Sequence, residues 1–281
     1  MFIEIVKFFI YSILIVLISK FILVKALRNL AEKLNLNSRI VGNIAGIATS
    51  IPELLTVSVA SFKGLIGTSF YNIISSNIIN VVQYFIAIVI NKNYKEIKNK
   101  GIVVQLILVI LTIIIPIVLI KLENSANIIL AVILIILYFI FFKISKKSYH
   151  KYLKKEEVDI NEELNKEIYE EKNKQKGVYL YIIMIIIAGI LLYFIGDKLG
   201  IVLGNLANMF GVAEYILGIL LGFVTSIPEL VTFFESQNHY KKQKDKEILG
   251  VIEATNNLLT SNILNLFVIQ AIGIVIYNLI L

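Results

Sequence analysis

The hexapeptide TSIPEL occurs twice, at Thr49–Leu54 and again at Thr225–Leu230, each time inside an apolar stretch. A proline within a helix has no N–H and clashes with the carbonyl four residues back, so Pro52 and Pro228 are expected to kink their helices and to release the carbonyls of Ala48 and Val224. Gly42, Gly46, Gly218 and Gly222 loosen the same turns. Glu53 and Glu229 each add a carboxylate directly after the proline, and Thr49, Ser50, Thr225 and Ser226 add hydroxyls about one turn away. Such a set is all oxygen and doubly negative. A hard cation such as Ca²⁺ takes six to eight ligands of this kind at about 2.3–2.6 Å. A mid-membrane charge costs at least ~2.5–3.5 kcal/mol, and two in matched positions are hard to explain as scaffolding. The competing structural role is a protonated carboxyl hydrogen-bonded between helices.

A second pair of segments follows the first in register. NIISSNIIN runs from Asn72 to Asn80 and NLLTSNILN from Asn257 to Asn265. Offsets of four and eight place Asn72, Ser76 and Asn80 on one helical face, and Asn257, Ser261 and Asn265 on another. Polar glue between membrane helices is the plain alternative. Repetition in step with the glutamates favours a site, with Asn77 and Asn262 as neighbours on either account. Glu253 lies two turns before Ser261 on about the same face, at an ion entrance or at a solvated helix start. Glu214 and Glu235 are read as interfacial.

The elements that must carry these residues are membrane helices. Hydrophobic residues make up 58% of the 281 and charged ones only 17%, against ~25% in a soluble domain, which nearly excludes a soluble fold. A bilayer core of ~30 Å takes about 20 helical residues, and the sequence predicts eight spans near 3–25, 40–62, 66–90, 102–120, 126–143, 178–199, 214–236 and 248–277. Continuous blocks such as IIMIIIAGILLYFI lack the alternation of a barrel strand. The fold class is therefore all-α, a polytopic helical membrane protein. The first run is too long for a signal-peptide core and is read as a retained helix. With no cysteine there is no disulfide, thiolate metal site or cysteine nucleophile. His150 and His239 are placed in charged loops, which disfavours a histidine zinc site.

Charge gives the orientation. With the N-terminus outside, 22 of the 27 Lys/Arg residues fall in cytoplasmic segments, whereas the opposite loops hold only Lys63, Lys121 and Lys198. This positive-inside asymmetry accounts for the basic balance without a nucleic-acid partner, and predicts a cell-membrane protein whose 144–177 loop is cytoplasmic. That loop carries eight acids between Glu156 and Glu171 and divides residues 1–143, with the ion-site segment 40–90, from residues 178–281, with the ion-site segment 214–277. The first TSIPEL helix then runs inside to outside and the second outside to inside. Inverted repeats meeting at the midplane are the construction plan of many secondary transporters.

A helix with G-x-x-T-S-x-P-E followed by one with N-x-x-x-S-N-x-x-N, repeated in inverted sense, resembles the α-repeats of the calcium:cation antiporter superfamily, specifically the sodium/calcium exchangers. The resemblance implies alternating access in which Na⁺ and Ca²⁺ compete for midplane sites. It places ligand positions on Thr49, Ser50, Glu53, Ser76 and Asn80, and on Thr225, Ser226, Glu229, Ser261 and Asn265. Exchangers commonly carry Asp at one of the positions held here by Asn80 and Asn265, so this site has one acid fewer. The Glu-to-Ser spacing is longer in the second repeat, through an insertion that includes NHYKKQKDK and is read as a cytosolic loop. The family usually has ten spans, so two scaffold helices are expected to be missing, a loss that a homodimer would offset. The expected function is Ca²⁺/Na⁺ antiport in the bilayer, with no cofactor beyond the transported ions. The alternatives are Ca²⁺/H⁺ antiport and a non-transporting membrane protein with degenerate repeats. No nucleophile, phosphate loop or cofactor motif points to an enzyme.

Overall fold

The computed structural model describes residues 2–34, 36–121, 127–154, 178–210, 213–241 and 247–280. Among them eight helices are long and apolar enough to cross a membrane. We label them α1 (Phe2–Leu27), α2 (Ser38–Phe62), α3 (Ile66–Asn91), α4 (Lys100–Val118), α5 (Ile128–Tyr152), α6 (Val178–Leu206), α7 (Glu214–Tyr240) and α8 (Glu247–Ile280). All eight expected spans are present. Their outer faces are apolar, as lipid requires: Ile129, Ile186 and Phe194 are each more than half exposed.

Two helices are broken. α2 is split at Ser50 into Ser38–Thr49 and Ile51–Phe62, and α7 at Ser226 into Glu214–Thr225 and Ile227–Lys241. The two breaks share one geometry, φ −81°, ψ −1° at Ser50 and φ −80°, ψ −2° at Ser226.

Glycines fix the direction of packing. A Cβ on Gly42 would strike the Glu253 carbonyl, and one on Gly46 would come within 2.7 Å of the Asn257 carbonyl. The first half of α2 thus runs parallel to α8 in backbone contact. In the other repeat Gly218 lies against Thr68 and Tyr71, and Gly222 against Asn72 and Ser75, so the first half of α7 runs parallel to α3. Only Lys63, Gly64 and Leu65 separate α2 from α3. Gly64 takes φ +77° and the Leu65 N–H reaches back to the Ala60 carbonyl at 2.9 Å, a Schellman turn that reverses the chain. With α3 antiparallel to α2 and parallel to α7, the two repeats are inverted.

Two apolar cores flank the broken helices. One joins α3, α4, α5 and α8 with the second half of α7, through residues such as Tyr84, Leu134, Phe233 and Phe267. The other joins α1 and α6 with the first half of α7, through Phe8, Ile15, Leu192, Leu203 and Leu221. The expected retained first helix is thus packed into the bundle.

Several local expectations change. The fifth helix continues past residue 143 to Tyr152, because Ser145, Ser148 and Tyr149 keep a buried face while the lysines point outward. His150 and His239 accordingly lie on helices, not in loops. The insertion in the second repeat starts as helix, since Asn238–Lys241 extend α7. Its remaining residues, 242–246, and the linker from 155 to 177 lie outside the described residues.

Candidate functional site

Each break is built from its hexapeptide. Pro52 and Pro228 stand in the first turn of the second half-helix, where the missing N–H costs nothing because that donor would be an orphan in any case. Ser50 Oγ turns back onto the Gly46 carbonyl at 2.8 Å, and Ser226 Oγ onto the Gly222 carbonyl at 2.8 Å. Glu53 and Glu229 follow in the first turns of their half-helices. A helix N-terminus carries partial positive charge, so each carboxylate starts with about 0.3–1 kcal/mol of local support. The preceding half-helices end at Thr49 and Thr225, where the negative ends of their dipoles meet the same region.

The helical faces read from the asparagine segments close the cluster. All ten predicted site residues, Thr49, Ser50, Glu53, Ser76, Asn80, Thr225, Ser226, Glu229, Ser261 and Asn265, are buried. The Glu53 carboxylate faces the hydroxyls of Ser76, from its own repeat, and Thr225, from the other. The arrangement recurs at Glu229, which faces Ser261 and Thr49. Ser261 Oγ donates to Glu229 Oε1 at 3.0 Å and receives Ser50 Oγ at 3.1 Å and Asn80 Nδ2 at 3.4 Å. Ser76 Oγ lies 3.4 Å from both the Gly222 carbonyl and Thr225 Oγ1. Ser226 Oγ keeps its hydrogen bond within its own helix, and Thr49 Oγ1 also reaches the Gly46 carbonyl of its own helix at 3.4 Å.

The amides are held by one another. Asn77 and Asn262 exchange hydrogen bonds, each Nδ2 donating to the other's main-chain carbonyl at 3.2 Å. Asn80 Nδ2 donates to Asn262 Oδ1 and Asn265 Nδ2 to Asn77 Oδ1, both at 3.2 Å. Asn77 and Asn262 are thus a clasp between α3 and α8. Their neighbours at 80 and 265 are oriented by them, with amide nitrogens tied down and amide oxygens left over.

Those leftover oxygens define the site. Glu53 Oε1 and Oε2, Glu229 Oε2, Asn80 Oδ1 and Asn265 Oδ1 are all buried with no hydrogen-bond partner of good geometry. Each is an acceptor, and an unmet buried acceptor costs about 1–3 kcal/mol, more when charged. Five in one cluster, two carboxylates among them, call for a positively charged occupant.

Two residues that sequence reasoning passed over brace the helical turns that carry the glutamates. Thr56 Oγ1 reaches the Pro52 carbonyl at 3.0 Å and accepts from Asn72 Nδ2 at 2.7 Å. Thr232 Oγ1 reaches the Glu229 carbonyl at 2.9 Å and accepts from Asn257 Nδ2. A threonine three residues after each glutamate repeats in both copies, and that repetition is the signal for them. On α4, Thr112 Oγ1 accepts from Asn262 Nδ2 at 3.4 Å; nothing in the sequence singles it out. Glu253 is only 4% exposed and is no solvated helix start. Glu214 Oε2 accepts the Thr68 N–H at 3.0 Å and caps the first turn of α3.

A family model described as "Sodium/calcium exchanger protein" matches residues 5–146, half of the chain. No curated protein matches. Among solved structures the fold is similar to the sodium-calcium exchanger NCX_Mj soaked with 10 mM Na⁺ and zero Ca²⁺, at 22% identity, TM-score 0.53, covering 98% of this chain and 84% of that one. The same exchanger soaked with 2.5 mM Na⁺ and 10 mM Sr²⁺ matches at 22% identity and TM-score 0.53, covering 98% and 83%.

Proposed function

Because the chain belongs to the sodium/calcium exchanger protein family, we propose that it exchanges Ca²⁺ for Na⁺ across the cell membrane, at the cluster of Glu53, Glu229 and their hydroxyl and amide neighbours. The observation that carries this reading is the set of five buried oxygens left without a hydrogen bond of good geometry. All are hard ligands, suited to Ca²⁺ or Na⁺ and ill suited to softer metals. Only two of the ligating groups are charged. A calcium site's affinity follows its ligand charge and rigidity, so two carboxylates with neutral oxygens favour a cation that binds and leaves.

Antiport follows from the same charge. An empty site would bury two carboxylates, each carrying a desolvation penalty of several kcal/mol. Occlusion is therefore cheap only when cations neutralise them, and the carrier crosses between its two accessible states loaded with one ion or the other. The breaks at Ser50 and Ser226 supply flexible points on both sides of the cluster. Lysine asymmetry supports an orientation with the N-terminus outside and the 144–177 loop in the cytoplasm.

A proton is the second candidate counter-ion, favoured by the amides at 80 and 265, since two glutamates can each carry one. Ca²⁺ uptake into proteoliposomes under separately imposed Na⁺ and H⁺ gradients tests both. A Na⁺ gradient should drive uptake and a H⁺ gradient should not, and the reverse pattern would make the protein a Ca²⁺/H⁺ exchanger. Glu53→Gln and Glu229→Gln should each abolish uptake while leaving the fold intact; substantial flux through the double variant would show that the cation passes elsewhere.

A further inference from the structure

One more buried amide lies on α8, outside the network of Asn77, Asn80, Asn262 and Asn265. Gln270 is 1% exposed, and among the described residues neither its Oε1 nor its Nε2 has a hydrogen-bond partner of good geometry. Buried polar groups are nearly always paired, and one left unmet at both ends is costly. A leucine would fill the same space without that cost, so packing does not account for the amide.

A π-helical turn puts Gln270 on the polar stripe. Asn257, Ser261 and Asn265 recur every fourth position, and a regular α-helix would bring Ile269 next. Instead α8 winds through Leu264–Ile269 as a π-helix, and the Gln270 N–H donates to the Asn265 carbonyl five residues back. The extra residue in the turn stacks Gln270 over Asn265, whose Oδ1 also lacks a partner. Single π turns inside α-helices are frequent at functional sites. In the other repeat α3 continues as α-helix through the corresponding stretch, and four residues after Asn80 stands Tyr84, whose hydroxyl is bonded to Thr255 Oγ1 at 2.8 Å.

Packing sets the depth of Gln270. Gly273 follows three residues later on the same face, and a Cβ there would come within 2.7 Å of Val57 Cγ1 and 2.9 Å of Ser61 Oγ. Val57 and Ser61 stand four and eight residues after Glu53 and continue its face along the second half of α2. The two helices run parallel, and three residues back along α8 is about 4.5 Å. Gln270 is thereby level with the turn from Glu53 to Val57. Helical side chains tilt toward the N-terminus of their helix, which inclines this amide back toward Asn265 and the Glu53 carboxylate, both of whose oxygens lack a partner. Glu229 is met from Ser261, nine residues earlier on α8, so Gln270 belongs to the Glu53 side of the cluster.

One Ca²⁺ meets both carboxylates best from between them. Two Na⁺ repel each other, so they part, one to each carboxylate, and each needs neutral oxygens of its own. Carbonyl oxygens beside broken membrane helices are common Na⁺ ligands. Resting on the exchange reading above, we propose that Gln270 Oε1 is a ligand of the Na⁺ held by Glu53 and takes no part in binding Ca²⁺. The test is the thermal melt of the purified protein in detergent, titrated with Na⁺ in the absence of Ca²⁺ and with Ca²⁺ in the absence of Na⁺, with choline keeping the ionic strength constant. An ion that binds the folded state raises the melting temperature. Gln270→Leu should weaken one of the two Na⁺ about tenfold, a loss of about 1.4 kcal/mol. Because two ions bind, the Na⁺ concentration that gives a fixed rise in melting temperature should go up by the square root of that factor, about threefold, while the Ca²⁺ titration overlays that of the wild type. Without either ion the variant should melt no lower than the wild type, since the unmet amide is gone. Gln270→Glu keeps an oxygen at the same reach and should need no more Na⁺ than the wild type. A wild type that Na⁺ does not stabilise overturns the Ca²⁺/Na⁺ exchange reading and this ligand with it. A wild type that both ions stabilise overturns the ligand alone if Gln270→Leu shifts both titrations, neither or only that of Ca²⁺, if it melts below the wild type without ions, or if Gln270→Glu fails to keep the Na⁺ response.

Discussion

Replacing Asn265 by Asp should turn a nearly electroneutral exchange into an electrogenic one. Within the cluster the charged side chains are Glu53 and Glu229, and positions 80 and 265 carry amides whose oxygens lack donors. With both glutamates ionised the site holds −2, which one Ca²⁺ or two Na⁺ balance equally, so the loaded protein has the same charge in both crossings. Asp at 265 keeps the buried oxygen, removes the N–H that now donates to Asn77 Oδ1 at 3.2 Å, and adds a third negative charge. The empty variant should be less stable, and a third Na⁺ should relieve it. One net charge per cycle is worth ~2.3 kcal/mol per 100 mV. That corresponds to a roughly fiftyfold change in the limiting Ca²⁺ gradient for each 100 mV. Proteoliposomes clamped with K⁺ and valinomycin, under a fixed Na⁺ gradient and with a Ca²⁺ indicator inside, read this directly. The wild type should respond weakly to the clamp and Asn265→Asp steeply. A steep response in the wild type would refute the reasoning and mean that neutral amide oxygens host an additional Na⁺.

Topology is checked with single cysteines in a chain that has none of its own: an impermeant thiol reagent applied outside intact cells should label Lys63→Cys and leave Lys147→Cys untouched, and the opposite pattern would invert the assigned orientation. Packing is checked by Gly46→Ala, whose Cβ would sit 2.7 Å from the Asn257 carbonyl and 2.8 Å from Thr260 Cβ. It should cost about 1–3 kcal/mol in a thermal melt in detergent, whereas Gly189→Ala, with nothing within 4 Å, should melt like the wild type.

The broken helices were legible because a proline removes a backbone donor at a fixed place, and the same six residues recur at both breaks. The stripes through Ser76 and Ser261 were legible because four-residue spacing survives in any straight helix. The pairing across the repeats was not. Thr49 faces Glu229 rather than the glutamate four residues after it, and a contact between residues so far apart leaves no trace in local periodicity. Asn77 and Asn262 stand one position off the stripe, and only the crossing of α3 and α8 makes them a clasp. The burial of Glu253 depends on a glycine in another helix, and the length of α5 on lysines that reach outward from a face whose other side is covered. In each case the deciding partner lies on a different helix.

The exchange of threonines between the two repeats bears on descent. Each glutamate meets a serine from its own half of the chain and a threonine from the other. A half-length protein of this design would own no complete polar centre. It would acquire two at once on meeting a copy of itself inserted upside down in the same membrane. A gene encoding only one half would therefore have depended on insertion in both orientations, and fusion of two such genes would have removed that dependence. The two halves are not identical: α8 carries Glu253 eight residues before Ser261, whereas Thr68 stands eight residues before Ser76.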